Sequence, residues 1–397
     1  MDLSSEMIHA TLPLFLVAVL GVDMASVGLI EGVAEATASI SKLAGGIASD
    51  RLGRRKPLVL AGYGLAAATK PLFAIAGSAA TVVAARFVDR VGKGIRGAPR
   101  DALVAEITPP GARGAAFGLR QSLDTVGAVL GPAVAMTVLA LSPGAYRVVF
   151  AIAVLPALVS VALIVLGVDE PPAAPTNDGA LHDGASAAAP AHAARPLLRR
   201  ADLADVGARY WLVLALSTVL TLARFSEAFL LLRAADAGLS AAAAPLALVA
   251  MNVVYAASAW PLGRLSDAGR ARVLVPGIAL LVAADVVLAL ASGPGAVLLG
   301  AALWGLHMGA TQGLFSAIVA ESAPASVRAS AFGLFHLVTG VALLAASAIA
   351  GAAWSAAGPR ATFASGAVLA SIAMAGLLLR GRVAAPSRPG AARDDTR

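Results

Sequence analysis

The chain has 397 residues, of which 59% are apolar and only 13% charged, with a net charge of +7 and a mean hydropathy of +0.83. A soluble domain is nearer half apolar and a quarter charged, so this excess, spread over the whole length, points to a polytopic membrane protein. The absence of cysteine excludes disulfides, thiolate chemistry and cysteine-based metal sites. The basic residues fall in short loops between apolar runs, which excludes the basic, groove-shaped domain that nucleic-acid binding needs.

The start, MDLSSEMIHATLPLFLVAVLG, carries Asp2 and Glu6 and lacks the basic n-region of a cleavable signal peptide. It reads as a first span that is short at its N-terminal end. Apolar runs of roughly twenty residues then recur near 3–21, 26–48, 57–76, 79–106, 114–141, 146–167, 209–232, 241–262, 272–291, 295–320, 328–354 and 360–380. These twelve runs predict an all-α membrane protein with two six-helix bundles, over residues 1–167 and 209–380. Between them lies a polar linker, 168–208, rich in Pro, Ala, Gly and Asp, and a disordered tail follows over 381–397.

Orientation follows from Lys and Arg in the short loops. Arg51, Arg54, Arg55 and Lys56 follow span 2, Arg113 follows span 4, Arg264, Arg270 and Arg272 follow span 8, and Arg328 follows span 10. The linker adds Arg195, Arg199, Arg200 and Arg209. The alternate loops hold only Asp23, Arg147, Arg233 and Arg360. Both termini and the linker are therefore expected on the cytoplasmic side, and the protein in a bacterial inner (plasma) membrane.

The two halves repeat. LVAEITPPGARGAAFGL at 103–119 matches IVAESAPASVRASAFGL at 318–334, aligning Glu106, Arg113 and Phe117 with Glu321, Arg328 and Phe332. Gly46-Ile-Ala-Ser-Asp50-Arg51-Leu-Gly53-Arg54-Arg55 matches Gly263-Arg-Leu-Ser-Asp267-Ala-Gly269-Arg270 at nearly the same offset. A duplicated six-span bundle is a transporter architecture, with the site between the halves near the midplane.

These residues resemble the major facilitator superfamily over the whole chain. The loop Gly46-x-x-x-Asp50-Arg51-x-Gly53-Arg54-Arg55 is similar to that superfamily's signature loop. The resemblance implies that Gly46 permits close helix packing, and that Asp50, Arg51, Gly53 and Arg54 belong to a cytoplasmic gate. Asp267 and Arg270 would supply its second copy. In span 5, Gly118-x8-Gly127-x3-Gly131-Pro132 is similar to the motif of exporter and antiporter branches. Met136 departs from that pattern, and helix packing is the alternative role for these glycines. Gly305, Gly309 and Gly313 in span 10 read as a packing face.

Span 4 contains RVGKGIRGAPRD, whose Gly92-x-Gly94-x-x-Gly97 spacing mimics a dinucleotide fingerprint. That motif needs a preceding strand and an acid about twenty residues on. Here the preceding residues form an apolar span and 114–120 hold no acid. The charges are more informative. On a helix, Arg86, Asp89, Arg90, Lys93, Arg96 and Arg100 fall within an arc of about 120°. An Arg or Lys facing lipid at mid-depth costs at least about 2.5–3.5 kcal/mol, so this stripe must face protein or a water-filled cavity. Counting Asp101, the stripe holds five cations and two anions, which favours an anionic substrate. An internal salt-bridge ladder is the alternative, with Asp89 pairing Lys93 one turn on and help from Glu31, Glu35 or Asp124.

Proton coupling needs a carboxylate or His whose environment alternates. Asp89 and Asp124 are the first candidates, with Glu35 and Glu227 behind them. Glu227 sits one turn from Arg224 and could be its static partner. Asp285 is isolated among apolar residues and ranks lower. His307, with Gln312, is the polar candidate of span 10, though packing is the simpler role for it.

No His-Glu-x-x-His pattern or nucleophile with a nearby base stands out, so an enzyme is not expected, and neither is a cofactor or a metal. The expectation is a monomeric secondary transporter of a small organic solute, anionic or zwitterionic, working by alternating access as a proton-coupled exporter. Sodium coupling, uptake by symport, multidrug efflux and a non-transporting receptor on the same fold are the alternatives.

Overall fold

The computed structural model describes residues 1–22, 24–170, 206–240 and 243–380. Most of the linker, and with it Arg195, Arg199 and Arg200, lies outside the described residues, as do Asp23 and the tail; so does the side chain of Glu31.

The described residues are helical apart from short connections. The first half comprises α1 (Asp2–Ala18), α2 (Met24–Leu52), α3 (Lys56–Ile75), α4 (Ala79–Ile107), α5 (Arg113–Leu141) and α6 (Tyr146–Gly167). The second comprises α7 (Ala208–Ala223), α8 (Ala228–Asp236), α9 (Leu246–Ala268), α10 (Arg270–Leu290), α11 (Pro294–Ser322) and α12 (Arg328–Arg380). Helix starts follow local chemistry. Ser78 accepts from the Thr81 backbone N–H at 3.3 Å at the head of α4. The turns Pro110–Ala112 and Ala325–Val327, each entered through a proline, lead into α5 and α12 in the same way.

Among the described residues, seven stretches are long and apolar enough to cross a membrane by length and composition alone. Their outward side chains are apolar: Leu166 is 85% exposed and Leu141 81%, a pattern that suits lipid. Three expected spans differ in detail. Runs 328–354 and 360–380 form the two arms of α12, which meet where Gly358 adopts a φ of +76°, a left-handed value that Gly tolerates. The run 209–232 is not one helix. It breaks over 224–227 with no Gly or Pro there, and Ser226 accepts from the Ala228 N–H to start α8.

Within the first half α1 packs on α5 and α6, and α4 on α2 and α3. The second half repeats this plan: α7 packs on α12, and α11 on α9 and α10. The halves meet mainly through α5 against α9 and α2 against α12. One apolar cluster crosses that boundary. It joins Ala98 and Phe117 to Tyr210, Leu314 and Phe332. The repeat-matched rings Phe117 and Phe332 lie 5.8 Å apart, centroid to centroid, so the internal repeat meets itself at its own axis.

Candidate functional site

The residues expected to form a gate lie at the end of the bundle where α2, α4, α9 and α11 finish and α3, α5, α10 and α12 begin. Asp50, near the end of α2, accepts the backbone N–H groups of Ala329 at 3.1 Å and Ser330 at 2.6 Å. Those amides open α12, where unpaired N–H groups and the helix dipole favour an anion. The second copy does the same in reverse. Asp267 accepts the N–H groups of Gly114 at 2.7 Å and Ala115 at 2.8 Å, at the start of α5. Each half thus caps a helix of the other.

Arginines tie the caps to the repeat's glutamates. Arg55 bonds Asp50 at 2.5 Å, Glu106 at 3.0 Å and the Ser49 hydroxyl at 3.1 Å. Arg270 bonds Asp267 at 3.2 Å, the Ser266 hydroxyl at 3.0 Å, and Glu321. Burial alone would pull the Arg55 guanidinium down. The Asp50 and Glu106 carboxylates outweigh that and hold it above its usual value. Of the loop's arginines, Arg55 is the one that bonds Asp50 among the described residues. Arg51 and Arg54 are exposed. Gly53 makes the turn with a φ of +62°.

The glycines are close-approach points. A Cβ at Gly46 would lie 2.3 Å from the Ala329 carbonyl oxygen, and one at Gly118 would lie 2.3 Å from that of Ala259. Gly127 and Gly131 press on α1 at Leu3 and Glu6, while Pro132 follows inside the unbroken α5. Gly305, Gly309 and Gly313 meet Met251, Ser258 and Gly118, as a packing face should.

Above the gate the charged stripe of α4 is heavily paired. Asp89 bonds Lys70 of α3 at 2.8 Å and reaches Arg90 at 3.6 Å; both Lys70 and Asp89 are almost fully buried. The expected partner Lys93 is not involved. Arg90 bonds Glu35 at 3.0 Å, and Arg86 meets the His9 Nδ1 at 2.8 Å. Arg96 lies 3.9 Å from Asp2 and stacks 4.4 Å above the Tyr63 ring. A lower layer spans both halves. Asp101 takes Arg100 at 3.3 Å, Arg120 at 3.5 Å and, across the boundary, His336 of α12 at 2.9 Å. Asp124 bridges Arg120 at 3.1 Å and Arg100 at 3.8 Å.

Two lysines are left over. Lys93 of α4 and Lys42 of α2 are half-buried, close enough for their charges to repel, and among the described residues no carboxylate lies within 4.0 Å of either. Lys42 lays its aliphatic stem over Gly97, where a Cβ would sit 3.4 Å from it. In the second half Arg224 stands at the α7 break and bonds the Gln312 amide oxygen at 2.6 Å. It forms no ion pair with Glu227 within 4.0 Å. Tyr255 accepts from the Gln121 amide at 2.6 Å across the boundary. His307 is buried with Nδ1 against the Gly277 carbonyl at 2.7 Å, a packing contact between α10 and α11.

Sequence reasoning missed Lys42, Lys70, Arg120 and His336 as participants. All four are ionisable residues inside apolar runs, which is itself the signal that should have drawn attention to them.

Two repeated helical bundles, capping each other's helices at one end and holding a charged layer between them, define a membrane carrier of the two-domain type. The chain belongs to the major facilitator superfamily, whose model matches residues 1–233 and again 225–397. It is therefore a secondary transporter rather than an enzyme. An uncharacterised MFS-type transporter of Methanocaldococcus jannaschii is 32% identical over 386 residues, covering 95% of this chain and 91% of the relative. A protein of Mycobacterium tuberculosis is 29% identical over 339 residues, covering 85% and 80%. Among solved structures, the Escherichia coli fucose:proton symporter FucP superposes with a TM-score of 0.75 at 17% identity, covering 96% of this chain and 95% of that one. The human organic anion transporter MFSD10 superposes with a TM-score of 0.73 at 17% identity, covering 94% and 95%. At these identities the likeness to solved structures concerns the fold.

Proposed function

We propose that this chain carries a small organic anion across the membrane by alternating access, through twelve spans with both termini and the linker in the cytoplasm. The observation that carries the reading is the pair Lys42 and Lys93, two cations on facing helices with no carboxylate within 4.0 Å among the described residues. Most of the stripe's other charge is internally neutralised, so the preference for an anion falls to the two lysines. An anionic group between them relieves their repulsion, and Arg224 offers a further cation from the opposite half. Glu35, which neighbours both lysines and bonds Arg90, would accommodate the ammonium of a zwitterion.

The gate end is the cytoplasmic end by its excess of Arg and Lys. With both caps made, the protein is closed on that side. Proton coupling fits the lower layer better than Asp89, which is sealed in its bridge with Lys70. Asp124 is a third exposed and shares its arginines with Asp101, whose His336 contact must break when the halves part. Export by proton antiport is the direction we assign. Symport runs the same machinery the other way, and the sign of the pH gradient that drives net movement distinguishes them.

A thermal-shift screen of purified protein tests the substrate class, using monocarboxylates, dicarboxylates, phosphate esters, neutral sugars and lipophilic cations as probes. One or more anions should raise the unfolding temperature in the wild type and fail to do so in Lys42→Ala and Lys93→Ala. Stabilisation by sugars or lipophilic cations alone, or anion shifts unchanged in both variants, contradicts the reading.

A further inference from the structure

Asp285 of α10 is fully buried, and among the described residues neither of its carboxyl oxygens has a hydrogen-bond partner. Its helix neighbours Leu281, Ala284 and Leu288 belong to an apolar cluster that also holds Ala223 and Phe363. Gly366 of α12 stands against it. A Cβ there would meet Asp285 Oδ2 at 2.6 Å and the Ala223 carbonyl oxygen at 3.0 Å, so the two oxygens converge on one small gap.

The Ala223 carbonyl is there because α7 stops. Ala223 is its last residue, and the chain over 224–227 does not supply the amide that would close the next helical bond. Among the described residues this buried carbonyl accepts no hydrogen bond. Asp285 Oδ2 and the Ala223 carbonyl oxygen, two acceptors, therefore face one gap, and among the described residues neither accepts a hydrogen bond.

The charged groups on the surrounding elements are engaged elsewhere. Arg233 of α8 is held by the Leu288 carbonyl at 2.8 Å, by the Ala291 carbonyl and by Asp236. Arg224 turns to Gln312. Glu227 heads α8 and, among the described residues, reaches no cation within 4.0 Å. On α11, His307 is held by Gly277, and the Trp304 indole N–H makes no hydrogen bond to the carboxyl. An ionised carboxylate only accepts hydrogen bonds, and one buried without a partner is strongly disfavoured. A protonated carboxyl has one donor to give.

We propose that Asp285 is a proton-binding site of the second half, its carboxyl O–H donating to the Ala223 carbonyl and so holding the α7 break. Losing the proton breaks the O–H bond, passes the proton to water and leaves two acceptors facing each other. The segment 224–227 must then rearrange, and Arg224, the next residue after Ala223, moves with it. The link to transport rests on the carrier reading above, but the proton site does not, and its test uses no substrate.

The experiment is infrared difference spectroscopy of the reconstituted protein at neutral pH, with a stability series beside it. The wild type should show a protonated-carboxyl C=O band that is absent in Asp285→Asn. The unfolding temperature of Asp285→Asn, whose amide can donate to Ala223 in place of the acid, should gain on the wild type as pH rises, because only the wild type has this proton to lose. Identical carboxyl bands in the two proteins, or a gap that does not change with pH, overturns the proposal. If Asp285→Asn does not accumulate, Gly366→Ala serves. Its methyl group drives the two oxygens apart and should shift the wild-type carboxyl band towards a weaker hydrogen bond; an unshifted band contradicts the site.

Discussion

The carboxylate of Asp50 accepts the backbone N–H of Ser330 at 2.6 Å, joining a helix end of the first half to a helix start of the second. Asp267 makes the reciprocal contact with Gly114 at 2.7 Å. These bonds involve a charge, and such bonds contribute about 1.5–3 kcal/mol each. They are also geometrically brittle, because a rocking motion breaks both donors of a cap together. In the proposed mechanism the gate is thus held by two matched, all-or-none contacts rather than by diffuse attraction.

Arg55 should matter where its neighbours do not. Removing it leaves Asp50 and Glu106 without their shared cation in a mostly buried place, a change that typically costs about 3–5 kcal/mol. Arg51→Ala and Arg54→Ala, at exposed positions, should stay within about 0.5 kcal/mol of wild type. Unfolding temperatures of the three purified variants check this. Equal effects would show that the loop's charge acts as a whole and not through one contact.

The Lys70–Asp89 bridge predicts a different pattern. Lys70→Met strands a buried carboxylate and should destabilise by about 3–5 kcal/mol, whereas Lys70→Met with Asp89→Leu should recover most of that loss. The double-mutant cycle in thermal unfolding reads it directly. Additive losses would mean that the two groups are not coupled. Transport by the double variant, if it folds, should persist, since the pair is sealed away from the boundary between the halves.

Gly118 sets how closely α5 and α9 can approach. Gly118→Val places side-chain atoms against the Ala259 carbonyl oxygen, which a Cβ alone already meets at 2.3 Å. The gate should then fail to close. The chain lacks cysteine, so a single Ser266→Cys, at a fully buried position, reports this without background. Maleimide should label it several-fold faster in the Gly118→Val background. Equal rates would show that the helices adjust without opening.

Much of this was legible in the sequence. The repeat of Glu106, Arg113 and Phe117 with Glu321, Arg328 and Phe332 anticipated the two-fold gate, because duplicated halves place equivalent residues at one axis. The α4 stripe was visible from helical periodicity alone. Its pairing was not, since Lys70 and His336 come from other helices and periodicity within one segment carries no information about neighbours. Asp89 accordingly found Lys70 instead of Lys93. The choice of Arg55 over Arg51 and Arg54 depends on how the Gly53 turn aims the chain. The α7 break was hidden for a related reason. Arg224, Phe225, Ser226 and Glu227 are compatible with a helix, and tertiary contacts, including a Ser347 hydroxyl on the Ser226 N–H at 3.1 Å, favour the break.

In the proposed mechanism the Asp50 and Asp267 caps hold the gate shut and release together. Spin labels at Arg54→Cys and Arg264→Cys, exposed positions on the two halves at the gate end, measure it by pulsed EPR in lipid nanodiscs. In the otherwise wild-type protein the short inter-label distance should dominate. Asp50→Asn with Asp267→Asn should move the population to a longer distance by at least about tenfold, since 1.4 kcal/mol is a factor of ten. A distance distribution unchanged by the double substitution would contradict the account.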